Sequence, residues 1–324
     1  MVKSHGRVAD IPSGLTSEEA LPSQDCRCGI VSNNHRTDLL QADSAAPDGA
    51  NLFVVDPWSH AQRQRAEAVE IIGCDVPVAG ETLRLNLAAT AGDVTLADIV
   101  PAARQLCDAI TARTVERAVA EKYNIPCGRG CSACCRRYLV PVTACEAFAL
   151  TGRILAAAPA RSRRMQRRLL LAARRIMEHR PPKLSFDESG GCNEADLTAT
   201  SRWYEQIDVS CPFLEGDCCS IYSARPVACR QHFIHGSAAG CMGHSDDAER
   251  LPMPVQMADV LGLVAAQLES AEVEAVPLPL MAAWCDVNAE RGLRTWPAVL
   301  AAEILARTVR QTALEGTREM SGVR

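Results

Sequence analysis

The sequence predicts a mainly α fold, in which a helical scaffold surrounds irregular cysteine-rich loops. Three observations predict it. Apolar residues recur at three- and four-residue steps over several long segments, which is the period of an amphipathic helix. No segment shows sustained alternation of apolar and polar residues, the pattern typical of a strand. Sixteen cysteines in 324 residues, most of them in two short clusters, indicate thiolate chemistry.

The composition excludes several classes of function. The net charge is −5 and aromatic residues make up 4% of the chain, which disfavours a nucleic-acid-binding protein. No apolar run approaches the length of a membrane span, so no membrane association is predicted. The first thirty residues lack the apolar core of a secretory signal, and we therefore expect a cytoplasmic protein with reduced thiols.

The N-terminal part of the chain predicts little regular structure. Residues 1–60 are rich in Ser, Asp, Asn, Gly and Pro, which is typical of a largely disordered extension. This extension contains Cys26 and Cys28, apart from the main clusters. Its apolar run at residues 52–55 is a candidate docked strand.

Helices are predicted over most of the remaining chain. The first covers about 95–123, with its regular part starting at 99–101 and Pro101 in the first turn. Cys107 lies on its apolar face and is interpreted as packing. Further helices are predicted over about 141–158, 161–180, 196–209, 255–270, 279–290 and 296–314, the last with Thr295 as N-cap and Pro297 in its first turn.

The predicted helix 161–180 is unusually basic. It carries eight arginines and a single acidic residue, Glu178. Such a helix is either a solvated face that balances an acidic protein or a binding site for phosphate or an acidic partner. No aromatic residue interleaves the arginines, which favours the solvated face.

These segments predict one central domain with two flanking parts. Residues 61–250 form the helical cysteine-cluster domain. Residues 251–316 form C-terminal helices that pack on it, and 317–324 form a tail. We see no internal repeat.

Two cysteine clusters carry the chemistry. The first holds Cys127, Cys131, Cys134 and Cys135, and the second holds Cys211, Cys218, Cys219 and Cys229, followed by Cys241. Gaps of two or three residues let two thiolates approach one ion at about 2.3 Å from each sulfur. We expect Gly128 and Gly130 to supply the positive φ angles that this curl requires. Thiolates select zinc, Cu(I) or iron over magnesium and calcium, so these are predicted metal-binding loops.

Adjacent cysteines complicate the assignment of ligands. Neighbouring side chains of extended backbone point to opposite sides, so Cys134 and Cys135 seldom serve one ion. The same holds for Cys218 and Cys219. Either the members of a pair serve two metals, or one of them is not a ligand. Eight thiolates form two Cys₄ zinc sites, or one iron–sulfur cluster with a spare site, and the sequence does not separate these.

At these residues the chain resembles the YkgJ family of cysteine-cluster, zinc- or iron-chelating proteins. That family carries C-x-x-C-x-x-C-C and, later, C-x-F-L and C-x-I-Y-x-x-R-P-x-x-C-R. The first motif matches Cys127, Cys131, Cys134 and Cys135, with three residues instead of two in the first gap. The later motifs match Cys211, Phe213, Leu214, Cys219, Ile221, Tyr222, Arg225, Pro226, Cys229 and Arg230, and the family's last cysteine falls at Cys241.

The resemblance covers about residues 82–250 and implies a metal but no particular reaction. It implies that the eight matched cysteines hold zinc or iron, an iron–sulfur centre included. Relatives include flagellin lysine methylases, which share the motif. This chain shows no convincing glycine-rich loop for a methyl-donor cofactor, so methylase activity is not carried over. Cys145, Cys192 and Cys218 are additional to the eight.

Charged residues near the clusters are candidate partners of the site. Four thiolates on a divalent ion leave a net charge of about −2, so cations and N–H donors are expected around it. Arg225 and Arg230 are suited to this role. Glu146 is either a helix-surface carboxylate, the commoner case, or a hydrogen-bond partner of the site. His232, His235 and His244 are more often loop residues than ligands, and His232 is the best placed of them to ligate.

Three functions are open on the sequence alone. The first is a metal-binding protein with a structural or accessory site, and the second is a redox or modification enzyme with an iron centre. The third is a metal-dependent adaptor that binds nucleic acid or a protein partner through helix 161–180. The sequence contains no HExxH pattern, phosphate loop or Ser-His-Asp arrangement that stands out, so an ordinary hydrolase or kinase is not predicted.

Overall fold

The structure is a computed structural model that describes residues 52–55, 68–78, 80–179, 194–241 and 247–322. Helices dominate this part of the chain, so the predicted mainly α fold is confirmed. Most of the predicted extension 1–60 lies outside the described residues, as do Cys26, Cys28, Cys192 and His244. Within the described ranges, no helix is long and apolar enough to cross a membrane.

The helices and strands are numbered here in chain order. The helices are α1 (Leu96–Ala120), α2 (Ala133–Arg137), α3 (Ala144–Leu155), α4 (Pro159–Glu178), α5 (Glu194–Gln206), α6 (Val227–Arg230), α7 (Ala238–Cys241), α8 (Met257–Glu269), α9 (Met281–Val287), α10 (Ala289–Gly292) and α11 (Ala298–Gly322). The strands are β1 (Leu52–Val55), β2 (Ala68–Val78), β3 (Glu81–Thr90), β4 (Asp93–Val94), β5 (Pro141–Thr143), β6 (Leu214–Glu215), β7 (Cys218–Cys219), β8 (Ile234–His235), β9 (Glu249–Arg250), β10 (Ala275–Pro277) and β11 (Trp296–Pro297).

Most predicted helices agree with the structure to within three residues at each end. Helices α3, α4, α5 and α8 correspond to the segments predicted at 141–158, 161–180, 196–209 and 255–270. The segment 279–290 is divided between α9 and α10 after a short 3₁₀ turn. Amphipathic periodicity located these helices because each presents one apolar stripe to the core.

The predicted first turns of α1 and α11 are wrong, and α11 extends to Gly322 instead of 314. Helix α1 begins at Leu96, because Thr95 and Asp98 form a capping box in which the Thr95 N–H donates to Asp98 Oδ2 over 2.8 Å. Pro101 therefore lies inside the helix instead of in its first turn. In α11 the predicted first turn is a strand, because residues 296–297 pair with β4, and the helix begins at Ala298.

A three-stranded antiparallel sheet is the main feature that was not predicted from the sequence. Strands β2 and β3 form a hairpin that turns at Gly80 (φ +84°), and β1 pairs with β3, as expected of a docked strand. Leu85, Leu87 and Ala89 alternate along β3 and are buried. This alternation was readable, but Ala88 is also buried, which interrupts the two-residue period at the end of the strand.

The sheet packs on α11 and α1 to form the larger core. Cys74 of β2 is fully buried, and its Sγ lies 3.8 Å from the carbonyl oxygen of Ala306 in α11, 232 residues later. Leu106 of α1 and Leu261 of α8 are also fully buried in this core. Strand β2, near the start of the described residues, and the last helix therefore stabilise each other.

A second core supports the cysteine-rich loops. Leu150 of α3 and Met165 of α4 pack against Phe213 and Ile221, which lie in the second cysteine cluster. Strands β5 and β10 pair along one side of it. The cysteine loops thus pack against a close-packed core to which helices α3 and α4 contribute.

Candidate metal centre

The first cysteine cluster spans a loop and the short helix α2. Cys127 and Cys131 lie in the loop, and Cys134 lies in α2. Gly130 has a φ of +93°, as predicted for a tight curl. Gly128 does not adopt a positive φ, so the prediction is wrong for this residue. Its carbonyl accepts a hydrogen bond from the Cys131 N–H over 3.1 Å, which closes the turn that contains Gly130.

The second cluster is distributed over several short elements. Cys211 precedes β6, Cys218 and Cys219 form β7, Cys229 lies in α6 and Cys241 ends α7. Strands β6 and β7 form a hairpin that turns at Gly216 (φ +62°) and pairs Leu214 with Cys219. Cys218 is buried and Cys219 half-buried, consistent with opposite sides of an extended strand.

Hydrogen bonds join the two clusters directly. The Cys211 N–H donates to the Cys135 carbonyl oxygen over 2.6 Å. The Asp217 carboxylate, at the tip of the β6–β7 hairpin, accepts hydrogen bonds from Ser132 Oγ (2.8 Å) and Arg136 Nη2 (2.9 Å). Residues on both sides of Cys134 therefore hold the second cluster against the first.

The adjacent pair Cys134 and Cys135 departs from the expectation of opposite-facing thiols. That expectation assumed extended backbone, whereas both residues lie in helix α2. Their thiols contact each other, and the hydrogen bond from Cys135 lowers the pKa of Cys134 to about 7. The same contact raises the pKa of Cys135. The pair therefore combines one thiol that ionises readily with one that stays protonated until a metal displaces its proton.

The charge of a cysteine raises the pKa of the cysteines near it, and these effects group the eight predicted ligands into two sets. Cys134 belongs to both sets. The first thiol set is Cys127, Cys131, Cys134 and Cys241. Burial raises the pKa of Cys127 to about 12, and charges on the other members of its set act in the same direction. The second thiol set is Cys134, Cys135, Cys211, Cys219 and Cys229. Burial is the main cause that raises the pKa of Cys229, and the negative charge of Cys211 is the second.

The donor set suits a thiophilic metal, although the side chains are not arranged around an ion. No disulfide joins any cysteine that the structure describes. Across the described ranges, no three His, Cys, Asp or Glu side chains form a group that could hold a metal ion as they stand. Thiols with raised pKa values must lose protons and move together for a metal to bind, which couples binding to local rearrangement.

Positive charge and N–H donors lie around both thiol sets. The Ile234 N–H donates to Cys127 Sγ over 3.3 Å. The Arg225 guanidinium lies 4.3 Å from the ring centre of Tyr222, and its charge lowers the pKa of Cys134 and opposes the rise at Cys229. Its Nε is buried and has no hydrogen-bond partner among the described residues. These groups are of the kind that stabilises thiolates bound to a metal.

The remaining cysteines and histidines have other surroundings. Cys107 in α1 and Cys145 in α3 are fully buried in the larger core. The His232 ring stacks on Tyr138, with ring centres 5.0 Å apart. The His235 ring contacts Tyr123 at 4.8 Å. These four residues therefore have packing roles in the structure as it stands.

Two carboxylates hold the Cys229 element, and only Glu146 was a candidate hydrogen-bond partner of the site from the sequence. Glu146 is fully buried, which contradicts the surface position favoured for it, and its Oε1 accepts the Val227 N–H over 2.8 Å. Asp108 of α1 accepts two hydrogen bonds of 2.6 Å from Arg230 Nη1. Helices α1 and α3 thus grip both sides of α6, which carries Cys229. The acid at the third helical position after Thr143 was visible as a capping box, but nothing local to Asp108 indicated its role.

The basic helix α4 contacts the second cluster instead of only facing solvent. Arg161 Nη2 donates to the Ser220 carbonyl oxygen over 2.8 Å. Arg168 donates to the Leu214 carbonyl oxygen, and its Nη1 lies 3.4 Å from Glu215. These arginines fix the β6–β7 hairpin to α4.

Replacing Arg168 by Gln is expected to lower the free energy of unfolding by about 1–2 kcal/mol. The substitution removes a charged hydrogen bond to a hairpin carbonyl that is screened from water. Arg167→Gln is the matched control, because Arg167 is exposed on the same helix, and its effect is expected to stay within about 0.5 kcal/mol. Urea unfolding of the reduced protein measures both. Equal effects of the two substitutions would argue against a role of Arg168 in fixing the β6–β7 hairpin to α4.

Comparison with protein-family models, curated proteins and solved structures finds no match to this chain. The resemblance of its cysteine motifs to the YkgJ family therefore stays a prediction. The functional argument rests on the residues and contacts described above.

Proposed function

We propose that this chain is a metal-binding protein that holds zinc or iron, an iron–sulfur centre included, through its two thiol sets. The observation that carries the proposal is the junction of the two clusters. The Cys211 N–H donates to the Cys135 carbonyl over 2.6 Å, so cysteines far apart in sequence lie next to each other, which supports a shared site. A metal bound between them closes a long loop, and its binding energy becomes folding energy.

The surroundings of the thiols support the proposal. Thiolates concentrate negative charge, and Arg225 and the Ile234 N–H lie where they offset it. Glu146 holds the Val227 backbone and Asp108 holds the Arg230 side chain, as expected around a ligand that must be positioned accurately. A resident metal would neutralise the thiolates of both sets and fix the loops between them.

The proposal includes a reducing cytoplasmic compartment and a limited set of partners. Cysteines ligate metals as reduced thiolates, and the described cysteines form no disulfide with one another. The partner proposed here is the metal ion itself. The basic helix α4 leaves a protein partner open, although its arginines at Arg161 and Arg168 are engaged within the chain.

Elemental analysis of protein purified without oxygen, together with its visible spectrum and acid-labile sulfide content, tests the proposal. We expect either about two colourless zinc ions per chain or several irons with sulfide and a brown colour. Zinc would indicate a structural module, and an iron–sulfur centre would favour redox chemistry. Protein that contains no metal, and takes up none when zinc or iron and sulfide are supplied under reducing conditions, would overturn the proposal.

A further inference from the structure

A cavity of about 280 Å³ lies where helix α3 ends and helix α4 begins. Its walls include Leu150 and Ile154 of α3, Met165 of α4 and Ile221 of the second cluster. All four apolar side chains are at least nine-tenths buried, so the walls belong to the packed core and are rigid. The volume is near the lower limit of ligand pockets, which restricts an occupant to a small molecule.

The charged residues of the cavity are all basic. Arg153 and Arg161 line its rim, and no carboxylate of the described residues lines it. Arg161 uses Nη2 to bind the Ser220 carbonyl oxygen, which fixes its guanidinium beside the opening. Arg153 is exposed and forms no ion pair with any residue that the structure describes. A cavity with apolar side chains at its base and an unneutralised positive rim is complementary to a molecule with a short apolar body and one negative end.

The neighbouring buried charges reinforce this polarity. Arg104 lies close enough to Arg153 for their charges to repel, and its Nε and Nη2 atoms are buried without hydrogen-bond partners among the described residues. Glu146 and Asp108 offset the charge of Arg104 in part. The exposed Arg153 forms no ion pair with a described residue, so an anion at the rim gains from its charge.

We propose that the cavity between α3 and α4 binds a small organic anion, a short-chain monocarboxylate in chemical class. The apolar chain occupies the space between Leu150, Ile154 and Met165. The carboxylate at the mouth accepts hydrogen bonds from Arg153 and from the free N–H groups of Arg161. No cysteine lines the site, although Ile221 lies two residues after Cys219.

Titration of the full-length purified protein with sodium hexanoate, followed by calorimetry and by backbone NMR shifts, tests the site. We expect a dissociation constant on the order of 1 mM, as fits a ligand of this size. Shifts should be confined to the residues around 150–165 and 221. Hexylammonium, which has the same chain and the opposite charge, should bind at least about tenfold more weakly.

Two variants and a matched control locate the binding. Arg153→Gln should weaken hexanoate binding about tenfold, and Ala157→Phe, which adds a ring at the cavity wall, should abolish it. Arg163→Gln, on the exposed face of α4, should leave binding within about twofold. Metal content, measured in parallel, should be the same in all three. No hexanoate binding, equal binding of hexylammonium, or unchanged binding by both Arg153→Gln and Ala157→Phe would overturn the proposal.

Discussion

The Cys229→Ser variant is expected to lose the metal of the second thiol set and to unfold more easily by several kcal/mol, on the order of 5. Serine nearly preserves the volume of cysteine, but its neutral hydroxyl is a poor ligand for zinc or iron. Cys229 lies in α6, which donates hydrogen bonds to Asp108 of α1 and Glu146 of α3. A metal bound at Cys229 would therefore stabilise the packing of three parts of the chain. Elemental analysis and urea unfolding, both without oxygen, measure the two effects.

Cys285→Ser is the matched control for this variant. Cys285 is buried in the second core, and its Sγ accepts a hydrogen bond from Thr151 Oγ1 over 3.4 Å, a bond that serine can replace. We expect unchanged metal content and a change in stability of about 1 kcal/mol or less. Full metal content in Cys229→Ser, or equal metal loss in both variants, would count against Cys229 as a ligand.

The Glu146→Ala variant is expected to lower the free energy of unfolding by about 3–5 kcal/mol. The change removes the acceptor of the buried Val227 N–H and leaves the Arg104 guanidinium without its nearest buried counter-charge. Because Val227 begins the helix that carries Cys229, metal content should fall as well. Urea unfolding and elemental analysis of the same samples measure both consequences.

Two further substitutions separate position from charge. Glu146→Gln keeps an oxygen acceptor for Val227 and should cost only about 1–2 kcal/mol. Glu178→Ala removes an exposed carboxylate whose ion pair with Arg174 lies on the surface of α4, and should change stability by about 0.5 kcal/mol or less. If Glu146→Ala were as mild as Glu178→Ala, the gripping role of Glu146 would be wrong.

Local signals account for the parts of the fold that the sequence predicted well. Helix α4 has a single apolar stripe that includes Met165 and Leu169, so its extent followed from periodicity to within two residues. The β2–β3 hairpin was missed although Leu85 and Leu87 alternate with polar residues. An alternation over only a few residues is a weaker signal than the period of a long amphipathic helix.

The candidate site also contains residues that the sequence identified and residues that only the packing of the chain brings together. The cysteine clusters are local in sequence, so their spacing and the family resemblance are enough to identify them. Their supports are not local, because Asp108 and Glu146 meet the Cys229 element only through packing of α1 and α3. The contact between Cys134 and Cys135 depended on whether their backbone is helical or extended, which five residues of sequence do not determine.

The packing of strands β2 and β3 against the last helix has a consequence for synthesis of the protein. Translation releases β2 and β3 long before residues 298–322 exist, yet the apolar face that includes Val76 and Leu87 is covered by that helix. Until residues 298–322 are synthesised, the nascent β2–β3 hairpin therefore exposes an apolar surface, and such a state is prone to aggregation. Native closure of this core is a late, high-contact-order event, and chaperone dependence should be greatest in chains that stop before α11.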